Sequence, residues 1–158
     1  MTTQFDPKEL RAAFGKFATG VTVITTEVEG EIHGMTANSF TSVSLAPPLV
    51  LVCLDKRTRL HGLLFTGARI GINILSDHQT DISNSFAGAP GPEPEITFDR
   101  EDGFPFIEGC LCHIGGTVQN IIEAGDHYIY LAKVDLLRQG EGEPLLYYGG
   151  RYNHLKNA

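Results

Sequence analysis

The stretch that decides the fold is His33–Asp55, HGMTANSFTSVSLAPPLVLVCLD. It ends in an unbroken apolar run, Leu49-Val50-Leu51-Val52-Cys53-Leu54, of strand length and with β-branched residues. A run this apolar predicts a strand buried on both faces. It opens on small polar residues, Thr36-Ala37-Asn38-Ser39, then Thr41, Ser42 and Ser44. Hydroxyls and amides are costly to bury without partners, so this run either meets a hydrogen-bonding ligand or faces water as a turn. Directly downstream lies Lys56-Arg57-Thr58-Arg59, three of the 12 Lys and Arg of a chain with net charge −7. Clustered cations suit phosphate, and Thr58 could cap a following helix whose first N–H groups would face the same anion. Taken alone, the basic segment also reads as a solvated loop.

Working outward, 158 residues predict one domain spanning 1–158. The 42% apolar content fits a globular chain with a real core, and no run approaches the roughly 18 apolar residues of a membrane span. Met1–Asp6 lacks the basic and apolar segments of a signal peptide, which points to the cytoplasm. The net negative charge argues against nucleic-acid binding. Three cysteines, Cys53, Cys110 and Cys112, do not make a disulfide framework. Cys110-Leu111-Cys112-His113 has no second Cys/His pair at zinc spacing, so no metal site is expected.

Asp6-Pro7-Lys8-Glu9 starts a helix, with Leu10, Ala13, Phe14 and Phe17 at helical spacing and the segment ending near Gly20. Val21–Thr26 reads as a strand, Glu29-Gly30 as a turn, and Glu31–Thr36 as the returning arm of a hairpin. Thr58–Phe65 reads as a short helix and Arg69–Leu75 as a strand. Ser76-x-x-Gln79 has capping-box form and opens a helix to about Phe86. Gly88–Glu95 is an exposed loop. Residues 104–108, Gly109–Glu123, Tyr128–Leu137 and Leu145–Tyr148 are further strand candidates, with Gly125-Asp126 and Gln139–Glu143 as breaks. Many short strands and few helices predict a closed or nearly closed antiparallel barrel. Open sheet edges would pair with a second copy, so a dimer follows.

Several chemistries are excluded. There is no Gly-x-Gly-x-x-Gly, no phosphate loop ending in Gly-Lys-Ser/Thr, no Gly-x-Ser-x-Gly elbow and no His-Glu-x-x-His. Asp126-His127 builds no triad if both lie on a strand, because neighbours there face opposite sides. Of six histidines, His127 stands out: a Gly-Asp turn presents it at a strand start, where it can line a barrel mouth. Arg151-Tyr152, after Gly149-Gly150, offers a cation and an aromatic on a terminal loop.

Phe14–Thr26, His33–Phe40, Ser42–Leu45, Pro47–Val52, Asn73–Leu75, Ser83–Gly88, Gly125–His127 and Leu145–Tyr152 occur in this order along nearly the whole chain. In these motifs the chain resembles the short-chain flavin reductases, the small components of two-component flavin-dependent monooxygenases of the phenol and 4-hydroxyphenylacetate hydroxylase type. The resemblance implies a mainly β fold, an FMN-binding split β-barrel (antiparallel, Greek-key-like) with a few short helices, acting as a homodimer. It implies a hydride transfer from nicotinamide C4 of NADH, or of NADPH, to N5 of FMN or FAD, with the reduced flavin supplied to an oxygenase component. It also implies residue roles. Thr36, Ala37, Asn38 and Ser39 would lie along the isoalloxazine ring, and Ser42, Cys53 and Leu54 near the ribityl chain. Lys56, Arg57, Thr58 and Arg59 would lie near the phosphate, and Phe86 and Ala87 would border the flavin. His127 would help seat the nicotinamide, with Arg151 and Tyr152 closing over the dinucleotide. A barrel that stores flavin or passes electrons without nicotinamide is the alternative, although it would have no use for His127, Arg151 and Tyr152. A pyridoxamine-phosphate-oxidase-like enzyme on the same barrel is a third, which Gly125–His127 and Gly150–Tyr152 oppose.

Overall fold

The computed structural model describes residues 5–156. Helix α1 (Pro7–Phe14) is followed by strands β1 (Thr19–Gly20), β2 (Thr22–Val28), β3 (Glu31–Ala37), β4 (Thr41–Leu45), β5 (Pro48–Asp55) and β6 (Arg69–Ile74). Then come helix α2 (Thr80–Phe86), β7 (Phe98–Glu101), β8 (Phe104–Ile107), β9 (Cys112–Ala124), β10 (His127–Gln139), β11 (Leu146–Tyr148) and β12 (Arg151–Asn153). No helix among the described residues is long and apolar enough to cross a membrane.

Seven strands form one antiparallel sheet in the order β3-β2-β6-β9-β10-β5-β4. Its two edges, β3 and β4, are consecutive in the chain. A flat sheet of seven strands would separate them by about 29 Å. The four residues from Ala37 to Thr41 reach at most about 14 Å. The sheet must therefore curl until its edges approach, and the barrel expected from the strand pattern results. At the seam the Ser39 hydroxyl donates to the Cys53 carbonyl (2.8 Å) and accepts from the Cys53 N–H (3.0 Å). Continuing the β4–β5 register from Thr41 opposite Leu51 puts Ser39 opposite Cys53, so a side chain here stands in for the next bond of that ladder.

Inside the barrel, Ile24, Val50, Val52, Leu54, Ile70, Ile72, Val118 and Tyr130 form the main core. A second core, around Val21, Val23, Leu75, Ile107 and Leu145, is covered by Ile82 and Phe86 of α2 and by Tyr147 and Tyr152. The polar groups between the two cores are satisfied. Asn73 Nδ2 donates to the Val23 carbonyl (2.9 Å), and its Oδ1 accepts from the Ile107 N–H (2.8 Å). Thr25 Oγ1 donates to the Pro105 carbonyl (2.6 Å), which pins β8 onto β2 and β6.

Several expectations hold. Asp6 caps α1 through the Lys8 N–H (2.9 Å), with Pro7 in the first turn. The helix expected to end near Phe86 does so, but it starts at Thr80 rather than from a Ser76 cap: of the expected capping box only the reach-back bond forms, Gln79 Oε1 accepting from the Ser76 N–H (2.9 Å), in the turn before the helix. Others need correction. Helix α1 stops at Phe14, with Gly15 as its cap, and does not run on toward Gly20. The helix expected over Thr58–Phe65 is a single 3-10 turn at His61–Leu63; Leu60 and Leu64 are drawn into the core on either side of Gly62, and the chain is extended by Leu64. Strand β5 is not buried on both faces: Val50, Val52 and Leu54 point into the core, while Leu49, Leu51 and Cys53 are half-buried. Strands β1, β4, β7 and β12 had no signature because they are short and polar.

Gly71 tests the packing. A Cβ there would overlap the Pro105 carbonyl oxygen and the Thr25 hydroxyl, whereas one at Gly62 meets nothing. Gly71→Ala is expected to lower the unfolding free energy by about 3 kcal/mol, and Gly62→Ala to be nearly neutral, in urea titrations of both variants.

Candidate functional site

The split seam opens into three adjoining clefts that share Asn38. The largest, about 580 Å³, is lined by Phe17, Thr19, Asn38, Ser39, Leu51 and Cys53 among others. A second, about 470 Å³, lies between α1 and the C-terminal hairpin, with Arg11, Phe14, Phe17, Tyr147 and Gly150. The third, about 210 Å³, is walled by Thr36, Ala37, Ser83, Ala87, Tyr147 and Tyr152.

Local structure explains why Asn38 stands at the junction. Thr22 Oγ1 donates to the Ala37 carbonyl (2.6 Å), which fixes the last residue of β3. Ser39, on the other side, is held by Cys53. Asn38, between them, is exposed and its amide has no hydrogen-bond partner among the described residues. The Thr19 hydroxyl oxygen, also beside the large cleft, is buried without a partner. A buried unpaired group such as Thr19 Oγ1 is rare unless a ligand or water completes it, and the exposed Asn38 amide is free to meet a ligand in the cleft. The size, the apolar walls and these few polar groups suit a flat heteroaromatic ring with a polar edge. The residues present fit a flavin.

The outer face of β5 leads away from this region. In the β5–β10 ladder Cys53 pairs with Ile129 and Asp55 with His127. Partners in a ladder share a face, so His127 lies beside Asp55, about 7 Å along the strand from Cys53. His127 Nδ1 meets Asp126 Oδ1 at 2.7 Å. The expectation that these two face apart is overturned because Asp126 belongs to the turn, where Gly125 takes a positive φ of 62°. The histidine contact holds the Asp126 carboxyl below its usual range.

The basic segment is already half neutralised. Arg57 contacts Asp55 through Nη2 (2.7 Å), Nε (3.1 Å) and its backbone N–H (2.8 Å), and holds that carboxyl well below the usual carboxylate range. Lys56 pairs with Glu123 and lies over the Tyr128 ring. Arg59 is exposed and makes no ion pair among the described residues. Thr58 Oγ1 donates to the Asp55 carbonyl (2.8 Å) and accepts from the His61 N–H (3.4 Å), so it shapes a turn and starts no helix.

The structure therefore gathers Thr36, Ala37, Asn38, Ala87 and Tyr152 at one end, and Asn38, Ser39 and Cys53 in the large cleft. Lys56, Arg57, Thr58, Arg59 and His127 stand in a separate group beyond Cys53. Other placements differ from expectation. The Leu54 side chain is wholly inside the core and can offer a ligand nothing but backbone. The Phe86 ring lies against Gly34, where a Cβ would come within 2.6 Å of it, and borders none of the three clefts. Ser42 is exposed on edge strand β4 and lines none of them either. Arg151 is exposed at the start of β12. Tyr152 hydrogen-bonds Ser83 (2.7 Å). Cleft residues without an expected role are Arg11, Phe17, Thr19, Ser83 and Tyr147; the last four sit inside motifs quoted above, and Arg11 carries no sequence signal.

Burial pushes the Cys53 thiol up, and the Cys110 thiol up to about 12 despite a hydrogen bond from Gln79. Neither is a nucleophile near neutrality. Burial lowers the pKa of His113, whose Nε2 donates to the Ile107 carbonyl (2.6 Å). No group of three or more His, Cys, Asp or Glu among the described residues could hold a metal.

An antiparallel barrel split along one seam, with a ring-sized cleft at the split, defines a flavin-binding barrel of the split type. Residues 14–156 match the family described as "Flavin reductase like domain", and the chain belongs to it. It is 42% identical over 153 residues to an NADH-dependent flavin reductase of a Rhodococcus species, covering 95% of this chain and 87% of that one. It is 36% identical to HsaB, the reductase subunit of a flavin-dependent monooxygenase of Mycobacterium tuberculosis, covering 99% and 86%. Its fold superposes on flavin reductase PheA2 with a TM-score of 0.93 at 40% identity, covering 97% of this chain and 100% of that one. The chain is an oxidoreductase of the flavin reductase kind.

Ser39→Ala removes both seam bonds and leaves the Cys53 backbone unpaired. A loss of about 2 kcal/mol in unfolding free energy is expected by denaturant titration.

Proposed function

We propose that this chain, as one flavin reductase-like domain over residues 1–158, reduces flavin with NADH and supplies it to the oxygenase component of a two-component monooxygenase. The observation that carries this is the split-seam groove, with Asn38 at its centre, His127 opposite the last residue of β5 and Arg59 in the turn that follows that strand. The names of the relatives supply the donor and the partner class: one is NADH-dependent and another is a monooxygenase reductase subunit. When bound, FMN or FAD supplies the redox chemistry, taking a hydride from the nicotinamide and later giving up two electrons.

The protein binds, orients and shields. Thr36, Ala37, Asn38 and Ser39 would hold the ring's polar edge, and Ala87 its border. The outer face of Cys53 would pass the chain of the cofactor toward Arg59, the cation that needs no carboxylate displaced before it meets phosphate. His127, oriented through Nδ1 by Asp126, would seat the nicotinamide, and Arg151 and Tyr152 would close over the dinucleotide. This reaction asks no strong general base of the protein. Clefts open to solvent let reduced product leave.

A homodimer is part of the proposal. Phe14 (71% exposed), Phe17 (79%) and Leu45 (94%) are large apolar side chains on the surface, Leu45 on an unpaired edge strand. A second copy would cover such a surface. The three free cysteines suit a reducing cytoplasm.

Anaerobic addition of NADH should bleach the absorbance of bound oxidised flavin near about 450 nm, a property of flavins in general. No bleaching with NADH or NADPH overturns the proposal in favour of a storage barrel. His127→Ala should slow that bleaching at least about tenfold while flavin affinity changes less than about twofold; equal losses would remove its assigned role. Arg59→Ala should weaken flavin binding about fivefold at low salt, with the difference shrinking in about 0.5 M NaCl.

A further inference from the structure

Ser83 is fully buried in the middle of α2 and is the only residue of that helix to be so. It makes two kinds of contact with opposite walls of one cleft. Its backbone carbonyl accepts from Thr36 Oγ1 (2.6 Å) and from the Ala87 N–H (3.0 Å), both on the side assigned to flavin. Its hydroxyl shares a hydrogen bond with the Tyr152 hydroxyl (2.7 Å), on the side assigned to the dinucleotide. Tyr152 in turn packs edge-on against Tyr147, its partner in the β11–β12 ladder, with ring centroids 5.6 Å apart.

Apart from the packing of Tyr147 and Tyr152 on the second core, the hairpin β11–β12 has little to hold it. It is three residues per strand and pairs with a two-residue strand, β1. Isolated ribbons of this size are marginal. Its tip is tied by the Gly149 N–H to the Gly15 carbonyl (2.8 Å). Among the described residues, Ser83–Tyr152 is the single side-chain hydrogen bond joining residues 146–153 to the rest of the chain.

We infer that Ser83 is a positioning residue for the dinucleotide: its hydroxyl latches Tyr152, and so the C-terminal hairpin, against the flavin crevice. This rests on the flavin reductase reading. The division of labour within one residue gives it a distinctive signature. Any amino acid at 83 supplies the carbonyl that fixes Thr36, but only a hydroxyl reaches Tyr152. Losing the side-chain bond frees the hairpin and leaves the flavin wall in place. A neutral hydrogen bond shifts such an open–closed balance by about fivefold.

The test compares Ser83→Ala, Tyr152→Phe and the double variant. Each single variant should raise the KM for NADH about fivefold, with kcat and flavin affinity within about twofold. The double variant should be no worse than either single one, because both remove the same bond. Amide exchange across residues 145–153, measured without dinucleotide, should quicken about fivefold in all three. That arm reads the latch independently of catalysis, so failure of the wild-type protein to use NADH is distinguishable from failure of the latch. Additive losses in the double variant, a fall in flavin affinity matching the rise in KM, or unchanged exchange would each overturn the inference. If Ser83→Ala does not fold, Tyr152→Phe leaves α2 intact, and its amide exchange across residues 145–153, measured without dinucleotide, decides the question.

Discussion

Three residues, Asn38, Ser39 and Phe40, must bridge the two edges of a seven-stranded sheet. That is a constraint of chain length before it is one of chemistry, and most of the structure follows from it. The sheet cannot lie flat, so it curls and buries Ile24, Val52, Ile70 and Ile72 inside. It cannot close fully either, because β3 and β4 are not partners in the ladder. Ser39, in the connection itself, anchors it to β5 through both the N–H and the carbonyl of Cys53. A single hydroxyl can donate and accept at once, so it satisfies both backbone groups of Cys53 where β4 has not yet begun. The crevice lies where it does because that gap is the one place on the barrel wall without continuous strand pairing.

Polar side chains in the two halves of the molecule are treated differently, and the contrast separates scaffold from site. Thr22, Thr25, Thr26 and Asn73 are deeply buried, and each has its protein partner. An unpaired buried polar group costs about 1–3 kcal/mol, so a scaffold that left these unsatisfied would be selected against. Along the crevice the pattern reverses. Thr19 has a buried oxygen with no partner, and Asn38 an amide with none among the described residues. One buried oxygen without a partner and one exposed amide beside a ring-sized cavity, in a protein that pairs its buried polar groups elsewhere, leave hydrogen-bonding capacity at the crevice that a ligand can use.

Much of this was legible in the sequence, and the remainder was not for identifiable reasons. Long strands such as β9 and β10, and the capped start of α1, declare themselves through local residue types. The polar run at 36–39 marked the crevice because its hydroxyls and amide need partners that apolar side chains cannot supply: Ser39 takes its own from the Cys53 backbone and Thr36 from the Ser83 carbonyl, while Asn38 is left facing the cleft. Local reading failed where tertiary packing set the outcome. Thr58–Phe65 has helical spacing, yet Leu60 and Leu64 are held by the barrel core and the segment keeps a single turn. Leu54 lay beside a matching motif, but the alternation of β5 turns it inward. The pairing of Asp126 with His127 depended on one positive φ at Gly125, which placed the aspartate in the turn. The ion pairs that occupy Lys56 and Arg57 join segments distant in sequence or depend on a turn, and a count of charges cannot reveal them.

Those ion pairs bear on how tightly the site can hold an anionic ligand. A flavin phosphate and a nicotinamide dinucleotide are both negatively charged, and the chain itself carries a net −7. An array of free cations would bind both strongly and release them slowly. Here Asp55 occupies Arg57 and Glu123 occupies Lys56; in each pair one partner, Arg57 or Glu123, is exposed, so solvent screens the attraction. With Arg59 as the one cation of that segment left without a carboxylate among the described residues, Lys56–Arg59 offers an anion a single unpaired charge. The rest of the grip falls to the shape and hydrogen bonds of the crevice around Asn38. A site held by fit more than by charge discriminates between ligands while keeping their residence short. The proposed hand-over of reduced flavin to an oxygenase component is served by that balance.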